Sequence, residues 1–192
     1  MNRTNEIEII NQIRAEVMSR KDRTGRNLFL IWGYPTVVVL LLEFAVLMLW
    51  GGNWFVWLWA GIPLVGVPLM IRTQRQDYAR TGRRTLEQNI TLQLWMFIGA
   101  TSCLAGFVTG CAGVYEQCYC TLQGILLGMG CFLTGVTLRF RPIKRYGIAG
   151  ALLSFSCLFF LGTLWPWQLL ITAVIAVITL VIPGHLLHRY KL

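Results

Sequence analysis

Long apolar stretches alternate with short polar segments along this chain, and that alternation is its most regular feature. Most of the stretches approach the roughly 20 apolar residues that a helix needs to cross a bilayer. The pattern therefore predicts an all-α, polytopic membrane protein with six transmembrane helices. The predicted spans cover about residues 28–50, 54–71, 89–109, 119–138, 146–164 and 168–187.

Connections within successive pairs of spans are short, so we predict that the bundle is built from three antiparallel hairpins. The turns at 51–53 and 165–167 leave room only for tight reversals, and 110–118 is the one sizeable connection of this kind. Pro63 and Pro68 predict a kink in the second span, because each removes a helix hydrogen bond. The sixth span is expected to continue past Pro183.

Residues 1–27 precede the first span and have a different pattern. Ile7, Ile10, Ile13 and Val17 recur at helical spacing opposite charged positions. This predicts a short amphipathic cytoplasmic helix that lies on the membrane surface or packs under the bundle. Docking of a cytoplasmic protein partner through the same face is the alternative.

Charge adds an orientation to this picture. Only 13% of residues are charged and 56% are hydrophobic, whereas soluble domains have about 25% charged residues. All 17 Lys and Arg residues fall in the two tails and in the loops 72–89 and 139–145. The positive-inside rule then predicts a multi-pass protein of a bacterial inner membrane with both termini in the cytoplasm. Topology and contact with anionic lipids explain the net charge of +9, so we expect no nucleic-acid partner.

Glu43 is the one acidic residue inside a predicted span. A carboxyl in hydrocarbon is costly, so we expect it to be mostly neutral and to face the bundle interior, toward the second or sixth span. The nearby Trp57 and Trp59 make a candidate ligand or ion site with Glu43. Two alternatives stay open: Glu43 serves as a structural hydrogen-bonding group, and the tryptophans belong to an interfacial aromatic belt.

Cysteines cluster near the outer loop. Cys111 and either Cys118 or Cys120 are the candidate partners of a loop disulfide in an oxidising compartment. Cysteines without a neighbouring histidine are a weak zinc signal, so we predict no metal site. Cys103, Cys131 and Cys157 are expected to be small packing residues, and His185 and His188 to be interfacial anchors.

Glycine pairs at a spacing of four suggest where helices approach closely. Gly106 with Gly110 and Gly124 with Gly128 are the two pairs, and they predict close packing of the third span on the fourth. Such pairs are frequent in spans, so they leave a homo-oligomer as an open alternative.

Three short motifs resemble a group of bacterial six-span membrane proteins with no assigned activity. They are Phe29-Leu-Ile-Trp-Gly-Tyr34, Leu127-Gly-Met-Gly-Cys-Phe-Leu-Thr-Gly135 and Val181-Ile-Pro-Gly-His185. The resemblance implies the six-span topology and carries no chemistry.

Function is therefore predicted only in outline. The leading hypothesis is a non-enzymatic integral membrane protein, without a cofactor, whose basic cytoplasmic face contacts lipid or a partner. The alternative is a small oligomeric transporter or channel with Glu43 in its pathway. A membrane enzyme ranks third, because no span holds two acids or an acid with a histidine.

Overall fold

The computed structural model describes residues 28–49, 58–81, 86–112, 116–160, 164 and 166–189. Within these residues the secondary structure is helical, and no strand is present. The predicted amphipathic helix over 1–27 lies outside them. The helices are α1 (Leu28–Leu49), α2 (Leu58–Thr81), α3 (Leu86–Ala112), α4 (Glu116–Thr137), α5 (Arg141–Ser154, extended by a 3-10 turn over Phe155–Phe159), α6 (Pro166–Ala176) and α7 (Ile182–Arg189).

Three helical stretches among the described residues are long and apolar enough to cross a membrane. They are Leu28–Leu49, Cys118–Thr137 and Pro166–Leu187. These stretches match the first, fourth and sixth predicted spans and indicate a membrane location. The described parts of the other three helices do not meet both criteria, so six spans are not supported here and stay a prediction.

The predicted basic loop over 72–89 is mostly helix. α2 continues to Thr81, well beyond the apolar stretch that ends at Ile71, and α3 begins at Leu86. Pro63 and Pro68 both lie inside α2, which is continuous through them. The sequence prediction ended the helix where hydrophobicity ends, but polar residues such as Gln74 and Arg75 are good helix formers.

Neighbouring helices run antiparallel, as the hairpin prediction requires. Trp59 of α2 contacts Glu43 near the end of α1, and the space beside Gly66 is filled by Trp32 near its start. Further along, Trp95 of α3 bonds Thr134 of α4 through its ring nitrogen at 3.0 Å. Tyr119, at the opposite end of α4, lies beside Gly106 of α3. Contacts at both ends of each pair establish the opposed directions.

Close helix packing through glycine involves α4 and α5, which corrects the predicted pairing of the third span with the fourth. A methyl group on Gly128 would lie 2.6 Å from the backbone nitrogen of Ala151, and one on Gly135 would lie 2.7 Å from that of Lys144. Gly124 faces the side chain of Ser154 on α5. Of the first glycine pair, Gly106 lies against a tyrosine side chain, and Gly110 lies outside the described side chains.

The α4–α5 connection is a short reversal that holds these two helices together. Arg139 has a φ of 56°, in the left-handed region that favours glycine. Its backbone N–H donates to the carbonyl of Val136 at 3.1 Å, and the N–H of Phe140 donates to that of Gly135 at 3.0 Å. These bonds form a Schellman motif, which satisfies carbonyls at the end of α4.

The last span passes through its proline without ending, as predicted. α6 leads into a π-helical turn over Val177–Val181 and then into α7, which contains Pro183. A wider turn accommodates the carbonyl that the proline cannot satisfy. Gly184 then lets α7 approach Leu30 and Phe29 of α1, where a methyl group would meet Leu30 at 2.6 Å.

Candidate functional site: the Glu43 cluster and the basic end

Glu43 lies inside the bundle, as the sequence predicted. Its side chain is only 5% exposed. The indole nitrogen of Trp59 donates a hydrogen bond to its Oε2 at 2.7 Å, which joins α1 to α2. The predicted position beside Trp59 is confirmed, whereas Trp57 lies outside the described residues. The role of Glu43 as part of a ligand or ion site stays a prediction.

Aromatic and polar groups continue from this bond toward α3 and α4. The rings of Trp59 and Tyr119 pack edge to face with centroids 5.4 Å apart. The Tyr119 hydroxyl lies 3.4 Å from the carbonyl oxygen of Ser102, a long donor–acceptor contact. Glu43 is also close enough to Tyr119 to interact with it electrostatically. One carboxyl, one indole and one phenol thus link four helices.

The polar region reaches α6 through a pair of thiols. Cys120, next to Tyr119 on α4, interacts electrostatically with Glu43 and contacts Thr172 of α6. Thr172 also lies 3.8 Å from the sulfur of Cys157. One turn earlier on α6, the side-chain nitrogen of Gln168 donates to the carbonyl of Phe160 at 2.6 Å. Glu43 therefore belongs to a polar layer that crosses most of the bundle.

Several buried side-chain oxygen atoms on α3, α4 and α6 have no hydrogen-bond partner. They include the amide oxygens of Gln123 and Gln168 and the hydroxyl of Ser102. Gln168 is completely buried, and Gln123 and Ser102 are less than 10% exposed. Gln123 lies one turn from Tyr119 on the same face of α4. We call the set of Glu43, Trp59 and Tyr119, which direct contacts join, the Glu43 cluster.

Sequence reasoning missed Tyr119 of the Glu43 cluster and three buried polar residues elsewhere in the bundle. Ser102, Tyr119, Gln123 and Gln168 were passed over because each stands singly among apolar residues. A signal was present, since a glutamine inside a span is a polar interruption that needs a partner. What the sequence could not provide is which helices bring Tyr119 against Trp59 beside Glu43.

The predicted outer-loop disulfide stays a prediction, because one of its candidate partners lies outside the described side chains. Cys118 and Cys120 both carry free thiols, and the side chain of Cys111 lies outside the described residues. Cys118 is exposed, whereas Cys120 is buried against α6. Packing thus directs Cys120 away from the loop. The expectation that Cys131 and Cys157 are packing residues is confirmed, since both are fully buried. The same expectation is wrong for Cys103, which is exposed.

Basic side chains gather at the end of the bundle opposite to the Glu43 cluster. The start of α1 meets α7 there, where the Tyr34 hydroxyl lies 2.7 Å from Nε2 of His185. The α4–α5 turn is at the same end, since Phe29 packs on Trp95, which bonds Thr134. The described basic residues at this end are Arg72, Arg75, Arg139, Arg141, Lys144, Arg145 and Arg189. Lys144 is half-buried, and the other six are exposed.

Comparison of the chain with protein-family models, with characterised proteins and with solved structures finds no match in any of the three.

Proposed function

We propose that this chain is a non-enzymatic, six-span protein of a bacterial inner membrane whose basic cytoplasmic end binds anionic lipid headgroups. The observation that carries the proposal is the collection of exposed Arg side chains at one end of the helices. No Lys or Arg occurs between Asn27 and Ile71 or between Thr85 and Leu138. The opposite end, with Glu43 and Tyr119, therefore has no positive charge from these stretches.

Helix geometry supports the six-span part of this proposal. α2 has 24 residues and α3 has 27, so at 1.5 Å per residue each reaches the roughly 30 Å of a hydrocarbon core. Both are antiparallel neighbours of helices that are long and apolar enough to span. Crossing by α1 and α4 then requires α2 and α3 to return through the same layer.

Topology is the first test of the proposal. A cysteine introduced at Arg80 should react with a membrane-permeant thiol reagent and resist an impermeant one added outside intact cells. The exposed native Cys118 should react with both reagents and serves as the internal control, with the other native cysteines replaced. Reaction of the position-80 cysteine with the impermeant reagent in sealed cells would overturn the orientation.

Lipid binding is the second test. Purified protein should bind phosphatidylglycerol in preference to phosphatidylethanolamine, as measured by native mass spectrometry. Each basic residue near an anionic surface contributes about 1 kcal/mol, so the triple Arg139, Arg141 and Arg145→Gln variant should bind on the order of 100-fold more weakly. The matched Arg→Lys triple variant keeps the charge and should bind almost normally. Equal binding of both lipids by the unmodified protein would reject the proposal.

A small transporter or channel is the second candidate function. The position of Glu43, buried and hydrogen-bonded to Trp59, favours it, because acidic residues within spans commonly mark ion or substrate pathways. Proteoliposome flux that disappears in the Glu43→Gln variant would support this candidate over a purely lipid-binding role.

A further inference from the structure

The close antiparallel contact of α4 with α5 leads to a pair of cysteines. A methyl group on Gly124 would lie 2.9 Å from Cβ of Ser154, so the two backbones nearly touch there. Cys120 comes four residues before Gly124, and Cys157 comes three residues after Ser154 in the 3-10 turn. Residues three or four apart share a face of such helices. Cys120 and Cys157 therefore lie opposite each other, one turn nearer the end of the bundle that holds Glu43.

Both thiols face the same hydroxyl group on α6. The sulfur of Cys157 lies 3.8 Å from Oγ1 of Thr172. Cys120 interacts with that hydroxyl and also with Cys157. Cys120 is 4% exposed, and Cys157 is completely buried. The two sulfur atoms are thus neighbours in one enclosed space between α4, the end of α5 and α6.

We propose that Cys120 and Cys157 form a disulfide that fastens α4 to the 3-10 turn after α5. A disulfide spans Cα atoms about 4.4–6.8 Å apart, which suits backbones that approach this closely. Both side chains are free thiols in the structure, which therefore represents the reduced form of the pair. Zinc takes four ligands, and the described residues contain no group of three or more His, Cys, Asp or Glu side chains that could hold a metal. Two thiols without further ligands favour a disulfide.

Oxidation breaks two S–H bonds and forms one S–S bond. The two electrons and two protons pass to a disulfide donor, whose own S–S bond becomes two thiols. Such donors act outside the cytoplasm, so the inference rests on the orientation in the proposed function, which places this end there. Both sulfurs are buried in the folded bundle. The exchange therefore takes place before α6 packs over them.

This pairing differs from the loop disulfide predicted from the sequence. Cys118 and Cys120 are two residues apart on α4, so their side chains point to different sides of the helix. Cys118 is exposed, and Cys120 is buried. Cys118 thus stays available to Cys111, while Cys120 is committed to Cys157.

Peptide mapping of the full-length protein tests the inference directly. Cells are quenched with acid, and free thiols are blocked under denaturing conditions before digestion with trypsin. Peptides 85–139 and 146–189 stay intact, because neither contains an internal Lys or Arg. Cys157 is the one cysteine of the second peptide, and the other five all lie in the first. We expect the two peptides to be joined in most molecules, whereas a loop disulfide lies within the first peptide.

Variants assign the link to this pair. Cys120→Ala should abolish it and leave a blocked thiol at Cys157. The matched control is Cys131→Ala, which removes another buried cysteine of α4 whose thiol donates to the carbonyl of Ile143 at 3.5 Å. That variant should keep the link, and so should Cys118→Ala. Mapping of the unmodified protein gives an answer even if a variant fails to fold.

Each outcome decides the matter. A link that Cys120→Ala abolishes and Cys131→Ala keeps supports the inference. A blocked thiol at Cys157 in the unmodified protein overturns it, because the two cysteines would then only fill space. A link that persists in Cys120→Ala also overturns it, since Cys157 would have a different partner. Labelling at position 80 decides the orientation separately. A free Cys157 in a protein of the proposed orientation therefore rejects this inference alone, whereas a reversed orientation rejects the proposed function.

Discussion

Replacing Gly147 by alanine is expected to destabilise the folded bundle strongly. A methyl group there would lie 2.4 Å from the backbone nitrogen of Phe132 and 2.7 Å from the carbonyl oxygen of Gly128. Backbone atoms cannot move aside by changing rotamer, so α4 and α5 would have to separate. Overpacking usually costs about 1–3 kcal/mol, and a backbone clash belongs at or above the upper end. The measurement is the yield of monodisperse protein together with its unfolding midpoint.

A matched control is available elsewhere in the bundle. A methyl group on Gly99, in the middle of α3, would meet no atom within 4 Å. Gly99→Ala should therefore fold with unchanged or slightly higher stability, since alanine favours helix by up to about 1 kcal/mol over glycine. Similar losses for Gly99→Ala and Gly147→Ala would show that glycine flexibility matters, and close helix approach does not.

Truncation of Trp95 to alanine is the change with the next largest expected effect. Trp95 is buried on α3, packs edge to face on Phe29 of α1 at 5.6 Å, and donates to Thr134 of α4. Removing it leaves a cavity where three helices meet, and such losses typically cost about 3–5 kcal/mol. The free energy of unfolding, measured by denaturant titration in micelles, should fall by that amount.

Two further variants separate packing from hydrogen bonding at this position. Trp95→Phe keeps most of the ring volume and loses the indole N–H, so it should cost only about 1 kcal/mol. Phe97→Ala removes an aromatic ring two residues away on the same helix, where the side chain is 70% exposed. Its effect should stay below about 1 kcal/mol. A loss for Phe97→Ala equal to that for Trp95→Ala would contradict the assigned inward face of α3.

The sequence placed the helices well and their ends less well. Hydrophobic stretches predicted six segments, and a helix lies at each of them within the described residues. The 72–89 segment was misjudged because hydropathy reports where apolar residues stop, not where helical hydrogen bonding stops. α2 therefore extends past Ile71 on residues with good helix propensity but little hydrophobicity.

Tertiary packing decided which helix lies against the glycine residues of α4. The spacing of Gly124 and Gly128 predicted a close approach, but one face of a helix can serve either neighbour in sequence. α5 has Gly147 facing α4 and Gly150 facing Thr179 in the π-helical turn, so a close helix–helix approach forms there. α3 instead presents Trp95 and Ile98 to α4, and these large side chains keep the two backbones farther apart.

Sequence by itself determined the class of protein, the sorting of every Lys and Arg into four segments, and the inward position of Glu43. Each follows from a strong local cost, because charge and unpaired polar groups are expensive in hydrocarbon wherever they occur. Only the tertiary structure decided that Tyr119 packs on Trp59 beside Glu43 and that Cys120 turns toward α6. Those contacts depend on how separate helices are rotated and shifted relative to one another. The packing of many side chains together sets this arrangement, and no single segment of the sequence encodes it.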